Sequence, residues 1–437
     1  MKHICIIGSG PAGCYLADHL LRLIPNASID LLEQLPVPFG LIRYGVAPDH
    51  QSTKAVARVF DRTLSRDRVN FFGNVCVGQD VKLDELLSLY DAVVLATGAQ
   101  RDRKLGIPGE DLPGVIGSGA FVGWYNGHPA RPVPQIRGVR SAIVIGNGNV
   151  AIDVARILAK SPQELAGSDV PPAVSSWFSG QPLKSIHILG RRGAAEAKFT
   201  DHELAELGTL QRAKPVVNTN DLSGDTPVVK TLRSFADAAP RDTPVTINFH
   251  FNLTPFAFLG QSSLEAVQFR SADAEAIEFP AQLAVTCIGY EALACCSASP
   301  VNGYFANEGG KVGERLYVVG WAKRGPSGTI PTNRTEAQQV AQRIAQEVTH
   351  QNRPGATALR ELLQARNVRW VDYAGWRLID AAELAQAGAD RCRGKFCNAA
   401  DMLQTANENQ LRSARQECST IYPAIPASQR QDVGGES

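Results

Sequence analysis

His3-Ile-Cys-Ile-Ile-Gly-Ser-Gly-Pro-Ala-Gly13 runs an apolar strand straight into a glycine turn, and the turn opens a helix pattern over Cys14–Leu23. In this G-x-G-x-x-G arrangement Gly8 permits a tight turn, Gly10 lets backbone amides approach a pyrophosphate, and Gly13 lets the helix pack close on the sheet. The helix N-terminus then faces the anion. The next strand pattern, Ser28–Leu32, ends in Glu33, about twenty residues on, where a carboxylate accepts hydrogen bonds from a ribose. An acid at that position suits the unphosphorylated ribose of FAD or NAD and repels NADP.

Outward from this start, Pro36–His50 is rich in proline and glycine yet carries bulky apolar residues, so it reads as an ordered loop packed on something flat and apolar. A helix pattern follows at Gln51–Leu64, then a short strand pair, Val69–Gly73 and Val75–Val77. Tyr90–Gly98 reads as a buried strand whose small end, Thr97-Gly98, lets the chain pass close over a cofactor. The proline and glycine density of Arg103–Gly114 marks a crossover between domains.

Beyond that crossover the opening motif recurs about 140 residues later as Ser141–Arg156, strand, G-x-G-x-x-A turn and helix, with Ala151 in the third position. Two such motifs support each other and imply two nucleotide sites. After an excursion at Ser161–Pro182, the strand Ser185–Leu189 ends in Gly190-Arg191-Arg192-Gly193, with arginines where the first unit has an acid. A guanidinium pair there suits a 2′-phosphate through charge-assisted, bidentate contacts, so the second nucleotide is expected to be NADP. Pro215–Pro280, with the runs Pro244–Phe251 and Leu264–Phe269, reads as antiparallel hairpins. Leu283–Tyr290 repeats the strand-then-glycine ending, and Leu316–Ile330 is a further strand and glycine loop before a helix pattern at Glu336–Val348. Helix patterns continue to about Leu411, and Ala414–Ser437 reads as a mobile tail.

The 437 residues carry 44 basic and 43 acidic side chains, a net charge of +1, so no global field points to nucleic acid or a membrane surface. No run reaches the roughly 18 apolar residues of a membrane span. Nine scattered cysteines and no signal peptide suit a reducing cytoplasm, or an organellar matrix if a precursor was trimmed. None of their spacings suits an iron–sulfur cluster. The C-x4-C pair Cys392 and Cys397 lies near the end of the chain, whereas a flavin-reducible disulfide is expected beside the first nucleotide unit.

These stretches together resemble the adrenodoxin-reductase type of ferredoxin–NADP reductase, from Lys2 to about Leu403. The resemblance is carried by Gly8–Gly13, Val37–His50 (VPFGLIRYGVAPDH), Ala120–Gly127 (AFVGWYNG), Gly146–Ala151 (GNGNVA), Gly190–Gly193 and Gly320–Thr332 (GWAKRGPSGTIPT). Related disulfide reductases and amine oxidases share only the first motif, often with Gly-Asp where this chain has Gly320-Trp321. The implied fold is α/β with two Rossmann-like, glutathione-reductase-like domains, the NADP domain inserted into the FAD domain. Its boundaries are expected at 1–105, 106–315 and 316–412, with a tail at 413–437.

The resemblance also implies that FAD lies on Gly8, Gly10, Pro11, Ala12, Gly13, Glu33, Leu41 and Val77, with Thr97 and Gly98. It adds Trp321, Gly328, Thr329 and Ile330 from the second glycine loop. For NADP(H) it implies Asn147, Gly148, Asn149, Val150, Arg191, Arg192, Glu203 and Gly328, and it implies no metal. His50 and Glu203 match positions near the nicotinamide–flavin contact, where a histidine can adjust a proton and a carboxylate can orient the carboxamide, or both can simply anchor loops. The implied reaction passes hydride from NADPH to FAD and then single electrons to a ferredoxin that feeds an oxygenase or other acceptor. The alternatives are direct reduction of a small oxidant such as a quinone or disulfide, or a nucleotide-binding subunit without turnover. Departures lie in the short segment Gly208–Pro255 and in Asn333-Arg334, a pattern associated with bacterial members. Lys230, Arg233 and Arg241 are the candidate local basic face for an acidic partner.

Overall fold

The computed structural model of the chain describes residues 1–295 and 299–407, so the expected tail at 413–437 lies outside the described residues. Two six-stranded sheets organise the molecule. In the first, Lys2–Ile7 lies between Ala27–Glu33 and Ala92–Leu95, all parallel, with Val69–Gly73 and Leu316–Val318 outside them and Lys311–Gly313 antiparallel at one edge. Strand order therefore reverses beside Lys2–Ile7, and a crevice forms there at the carboxyl ends of the strands. The first sheet resumes at Lys311.

The second sheet runs in the order Val115–Gly117, Leu283–Thr286, Ser141–Ile145, Ser185–Leu189, Val245–His250 and Ala213–Val217, every pair parallel. Ser141–Ile145 occupies the same switch point as its counterpart in the first sheet. The chain leaves and re-enters the first domain side by side, through the antiparallel pair Arg101–Asp102 and Tyr290–Glu291, which the Arg101–Glu291 ion pair ties at 2.8 Å.

The helix Pro11–Leu23 starts with proline in its first turn, where the missing N–H costs nothing, and it stops just before Pro25. Its apolar face, Leu16, Leu20 and Leu21, packs on Val340 and Ile344 of the long helix Ile330–Glu347 in one core with the first sheet. Each such buried side chain contributes about 1.5–3 kcal/mol. A separate core joins the helix Asn149–Ala159 to the second sheet.

Several local expectations change. Gln51–Leu64 is two short helices, Gln51–Lys54 and Ala57–Leu64, and Val75–Val77 forms no strand beyond a Val77–Val81 bridge. Val245–His250 is an interior parallel strand rather than half of a hairpin. Its alternating burial arises because Thr246, Asn248 and His250 lie on a half-covered face. Hairpins do occur at Thr254–Leu259, Ala266–Arg270 and Ala276–Pro280, while Pro227–Asp237 is a helix capped by Thr226, whose hydroxyl accepts from the Val229 N–H.

Candidate active site

At the first glycine turn Gly8 has φ +111°, and a Cβ there would stand 2.4 Å from the Ala96 carbonyl oxygen, so only glycine fits between the strands. Gly10 caps the helix Pro11–Leu23 with no side-chain hydrogen bond, and nothing lies within 4 Å of where its Cβ would be. An uncapped helix N-terminus opening onto free space is an anion cradle. Glu33 ends the second strand beside it. Its Oε2 accepts from Ser9 N at 3.2 Å and Ser9 Oγ at 2.7 Å, and its Oε1 accepts from Leu35 N at 3.2 Å. Burial pushes the Glu33 carboxyl above the usual range, and the donors from Ser9 and Leu35 oppose that. A carboxylate has lone pairs left for a ribose hydroxyl after these bonds.

Around this cradle the chain leaves unsatisfied groups and uncovered apolar surface. Thr97 Oγ1 is buried without a hydrogen-bond partner, and Gly98 faces open space. Leu41 is 45% exposed although the loop around it is buried. Val77 is half-buried, and Ala12 is buried at the helix start. Trp321 stacks on Tyr290 with ring centres 5.9 Å apart and donates from its indole nitrogen to Ser327 O at 3.1 Å. Buried Glu336 holds this loop: it accepts from Gly320 N at 2.8 Å and Lys323 Nζ at 2.9 Å, and it pairs with Arg324. Gly328 and Thr329 are exposed just before Ile330 opens the long helix.

The second turn repeats the design. Gly148 caps the helix Asn149–Ala159 without a side-chain bond and faces open space, and Asn147 Oδ1 is buried and unpartnered. Asn149 Oδ1 accepts from Thr200 N at 2.8 Å, and Asn147 O accepts from Lys198 N and Phe199 N, so the turn also anchors the helix Asp201–Glu206. Val150 packs against the second core. Arg191 and Arg192 lie exposed after the strand Ser185–Leu189, with Arg192 Nε 4.0 Å from Glu196.

Residues from both domains also converge on His50. His50 Nε2 lies 3.1 Å from Glu206 Oε2 and 2.8 Å from Arg156 Nη2, so this one nitrogen can accept from the guanidinium or donate to the carboxylate, according to its protonation. Glu203 Oε2 is 4.0 Å from His50 Nε2 and is buried without a hydrogen-bond partner. Burial pushes the Glu203 carboxyl up, and the nearby Asp153 charge adds to it. Arg156, buried at 1% exposure, pairs with Asp49, with Asp153 at 2.7 Å and with Glu206 at 3.2 Å. Burial alone would raise the Asp49 carboxyl, but Arg156 and Lys160 hold it below the usual range. The ligand atoms of His50, Glu203 and Glu206 lie within 4.8 Å of one another, a spacing a metal could use. The Arg156 guanidinium already supplies the cation there.

The sequence singled out His50 and Glu203 but missed Glu206, Arg156 and Asp49, which make the closest contacts. Asp49 lies in the same loop stretch as His50, Glu206 lies one helical turn from Glu203, and Arg156 ends the stretch Ser141–Arg156 that carries the second glycine turn. The basic trio is also not a set of free cations. Lys230 pairs with Asp225 at 3.2 Å, Arg233 donates to Gly224 O at 3.0 Å, and Arg241 donates to Leu210 O at 3.1 Å and Gly208 O at 3.3 Å. Arg233 and Arg241 thus anchor the loops around the helix Pro227–Asp237.

Comparison with known proteins gives the family. NADPH-ferredoxin reductase FprA of Mycobacterium tuberculosis is 36% identical over 92% of this chain and 98% of its own length. The chain belongs to the NADPH-ferredoxin and adrenodoxin reductase family. Human mitochondrial NADPH:adrenodoxin oxidoreductase is also 36% identical, over 92% of this chain and 91% of that protein. The solved structure of M. tuberculosis FprA in complex with NADPH superposes with a TM-score of 0.88 at 36% identity, covering 93% of this chain and all of that one. A broader family model, pyridine nucleotide-disulphide oxidoreductase, matches residues 2–207 of this reductase. Thioredoxin reductase of T. acidophilum, 13% identical with a TM-score of 0.50, shares the fold alone.

Proposed function

We propose that this reductase takes electrons from NADPH and delivers them to an iron–sulfur protein of the ferredoxin class, with FAD in the first cradle and NADPH in the second. The observation that carries the reading is the meeting of His50, from the first domain, with Glu206 and Arg156, from the second, in a chain whose two domains each have an uncapped glycine-lined helix start. Bound FAD would supply the exchange between a two-electron donor and a one-electron acceptor. The chain's own residues would do the rest. Glu33 would hold the flavin's adenosine ribose, and Thr97 Oγ1 and Asn147 Oδ1 would find partners on the bound nucleotides. Arg191 and Arg192 would bind the 2′-phosphate, and the unpartnered Glu203 Oε2 would accept from the nicotinamide carboxamide. His50 would hold or move a proton at Nε2 between Arg156 and Glu206. For the partner, Lys230 is the candidate steering charge, with Arg233 beside it on the same helix.

Purified protein should contain noncovalent FAD that NADPH bleaches in a stopped-flow experiment, and cytochrome reduction should require added ferredoxin. Cytochrome or quinone reduction that is equally fast without ferredoxin would instead establish the direct reductase. A flavin that NADPH does not bleach would leave a nucleotide-binding subunit. Lys230→Glu should slow ferredoxin-linked turnover at low salt and leave ferricyanide reduction unchanged, since steering between exposed charges is screened beyond about 8 Å at physiological salt. An unchanged ratio of the two rates would remove this face from docking.

A further inference from the structure

Three segments distant in sequence close on one buried carboxylate. Asp169, in the excursion that follows the helix Asn149–Ala159, accepts from Lys54 Nζ at 2.9 Å and 2.8 Å through its two oxygens, and Lys395 Nζ lies 2.9 Å from its Oδ2. The remaining protons of the two ammonium groups are used as well. Lys54 Nζ donates to Asn126 Oδ1 at 3.0 Å, and Lys395 Nζ donates to Asn126 O at 3.0 Å and Arg43 O at 3.2 Å. All three side chains are buried, at 8%, 6% and 1% exposure for Lys54, Asp169 and Lys395.

The cluster spans the domain junction. Leu165, Val170 and Val174, flanking Asp169, belong to the core of the second domain, while Phe396, next to Lys395, packs on the core of the first. Asp169 also uses its backbone, donating its N–H to Pro48 O at 3.0 Å. One residue of the second domain thus holds residues 48–54 at both ends, Pro48 through the main chain and Lys54 through the side chain. Asp49 and His50 lie between these two anchors and reach Arg156 and Glu206.

We propose that Asp169 is a positioning residue: by pinning both ends of residues 48–54 to the second domain, it sets the angle between the two nucleotide domains and the place of His50 between them. This rests on the reading of the two cradles given under Proposed function. Neither Asp169 nor the two lysines touches a cradle, so the effect runs through geometry alone, and a misplacement of about 1 Å is enough to slow a hydride transfer greatly.

The test uses the flavin-loaded full chain with Asp169→Asn and, separately, Lys54→Gln. The first leaves two buried ammonium groups on a neutral amide. The second keeps an amide donor to Asp169 and preserves the Lys395 pair, so it remains informative if the first fails to fold. Expected are unchanged flavin content, unchanged NADP+ affinity in a spectral titration, and bleaching by NADPH slowed by at least about tenfold for Asp169→Asn, less for Lys54→Gln. Solution X-ray scattering of the flavin-loaded protein should show a broadened distribution of interdomain distances. Unchanged bleaching and scattering in the variants, or a slowing fully explained by lost flavin or weakened NADP+ binding, would overturn the proposal. If NADPH fails to bleach the unaltered protein, the functional reading fails, while scattering of the variants still decides whether Asp169 sets the angle.

Discussion

Replacing Gly148 with alanine separates the fold of the second domain from its ligand. Gly148 has φ −119° and ψ 170°, an extended conformation open to any residue, and its added methyl meets no atom within 4 Å. The folded protein should therefore tolerate the change or gain about 0.4–1 kcal/mol from the stiffer unfolded chain. The space the methyl enters lies over the start of the helix Asn149–Ala159, whose first N–H groups have no side-chain cap. A charge-assisted hydrogen bond from such a group is worth about 1.5–3 kcal/mol, so displacing the pyrophosphate from one of them raises KM for NADPH by about ten- to a hundredfold. Flavin content should not change, because the first cradle is untouched. Gly10→Ala is the mirror experiment: φ −71° and empty surroundings predict a folded chain that retains NADP+ binding and loses flavin. Steady-state ferricyanide reduction against NADPH concentration, flavin absorbance per chain and a denaturant titration read all three quantities. An unchanged KM in Gly148→Ala, or a loss of flavin as large as the loss of NADPH affinity, would refute the assignment of the two cradles.

Arg191→Ala with Arg192→Ala should raise KM for NADPH by about a hundredfold, taking the lower value of about 1.5 kcal/mol for each exposed contact, while KM for NADH stays put. Equal losses for both coenzymes would remove the 2′-phosphate from these residues. Burial and Asp153 raise the Glu203 carboxyl, so its charge is lost at a higher pH than for an ordinary glutamate as the solution is acidified. The acid limb of kcat/KM for NADPH should therefore lie above the usual carboxylate range and vanish in Glu203→Gln, and a limb that survives the substitution belongs to another group. Lys54 has its amine pushed down to about 7 by burial and by Lys395, so the unfolded chain binds more protons than the native one from about pH 7 up to the ordinary lysine value. The cost of the buried charge is thus full below about pH 7 and is relieved as pH rises. Unfolding midpoints should climb between pH 7 and 10 in the native sequence relative to Lys54→Met. Parallel pH profiles for the two would show that Lys54 does not titrate there.

The two glycine turns were legible because they are local: strand, turn and helix lie within a dozen residues, and the acid and the arginines proposed to select the nucleotide follow one strand later. The parallel strand Val245–His250 was misread because alternation marks a half-covered face whichever way the neighbouring strands run. The helix Pro227–Asp237 had a sequence signal, Thr226 followed by proline, that the apolar alternation around it obscured. The junction was out of reach for a different reason. Lys54, Asp169 and Lys395 are separated by more than a hundred residues each, and a lone lysine or aspartate in sequence looks like a solvated surface residue. Only packing of two domains turns them into partners, and the same holds for Asp49 with Arg156.

The seam at Arg101–Asp102 and Tyr290–Glu291 makes the second domain a removable cassette. Its two ends lie in neighbouring antiparallel strands, about 5 Å apart, so two splices at almost one point in space would exchange residues 103–289 for the matching span of another reductase. On the proposed assignment of the two cradles, coenzyme preference would travel with the insert through Arg191 and Arg192, while the flavin site of the flanking chain would stay behind. The graft must bring an acid to the place of Asp169 and a cation to that of Arg156, because the host presents Lys54, Lys395 and Asp49 to whatever is plugged in. Chimeras chosen on those two positions should retain flavin and adopt the donor's coenzyme, whereas chimeras lacking either should carry the flavin yet bleach slowly.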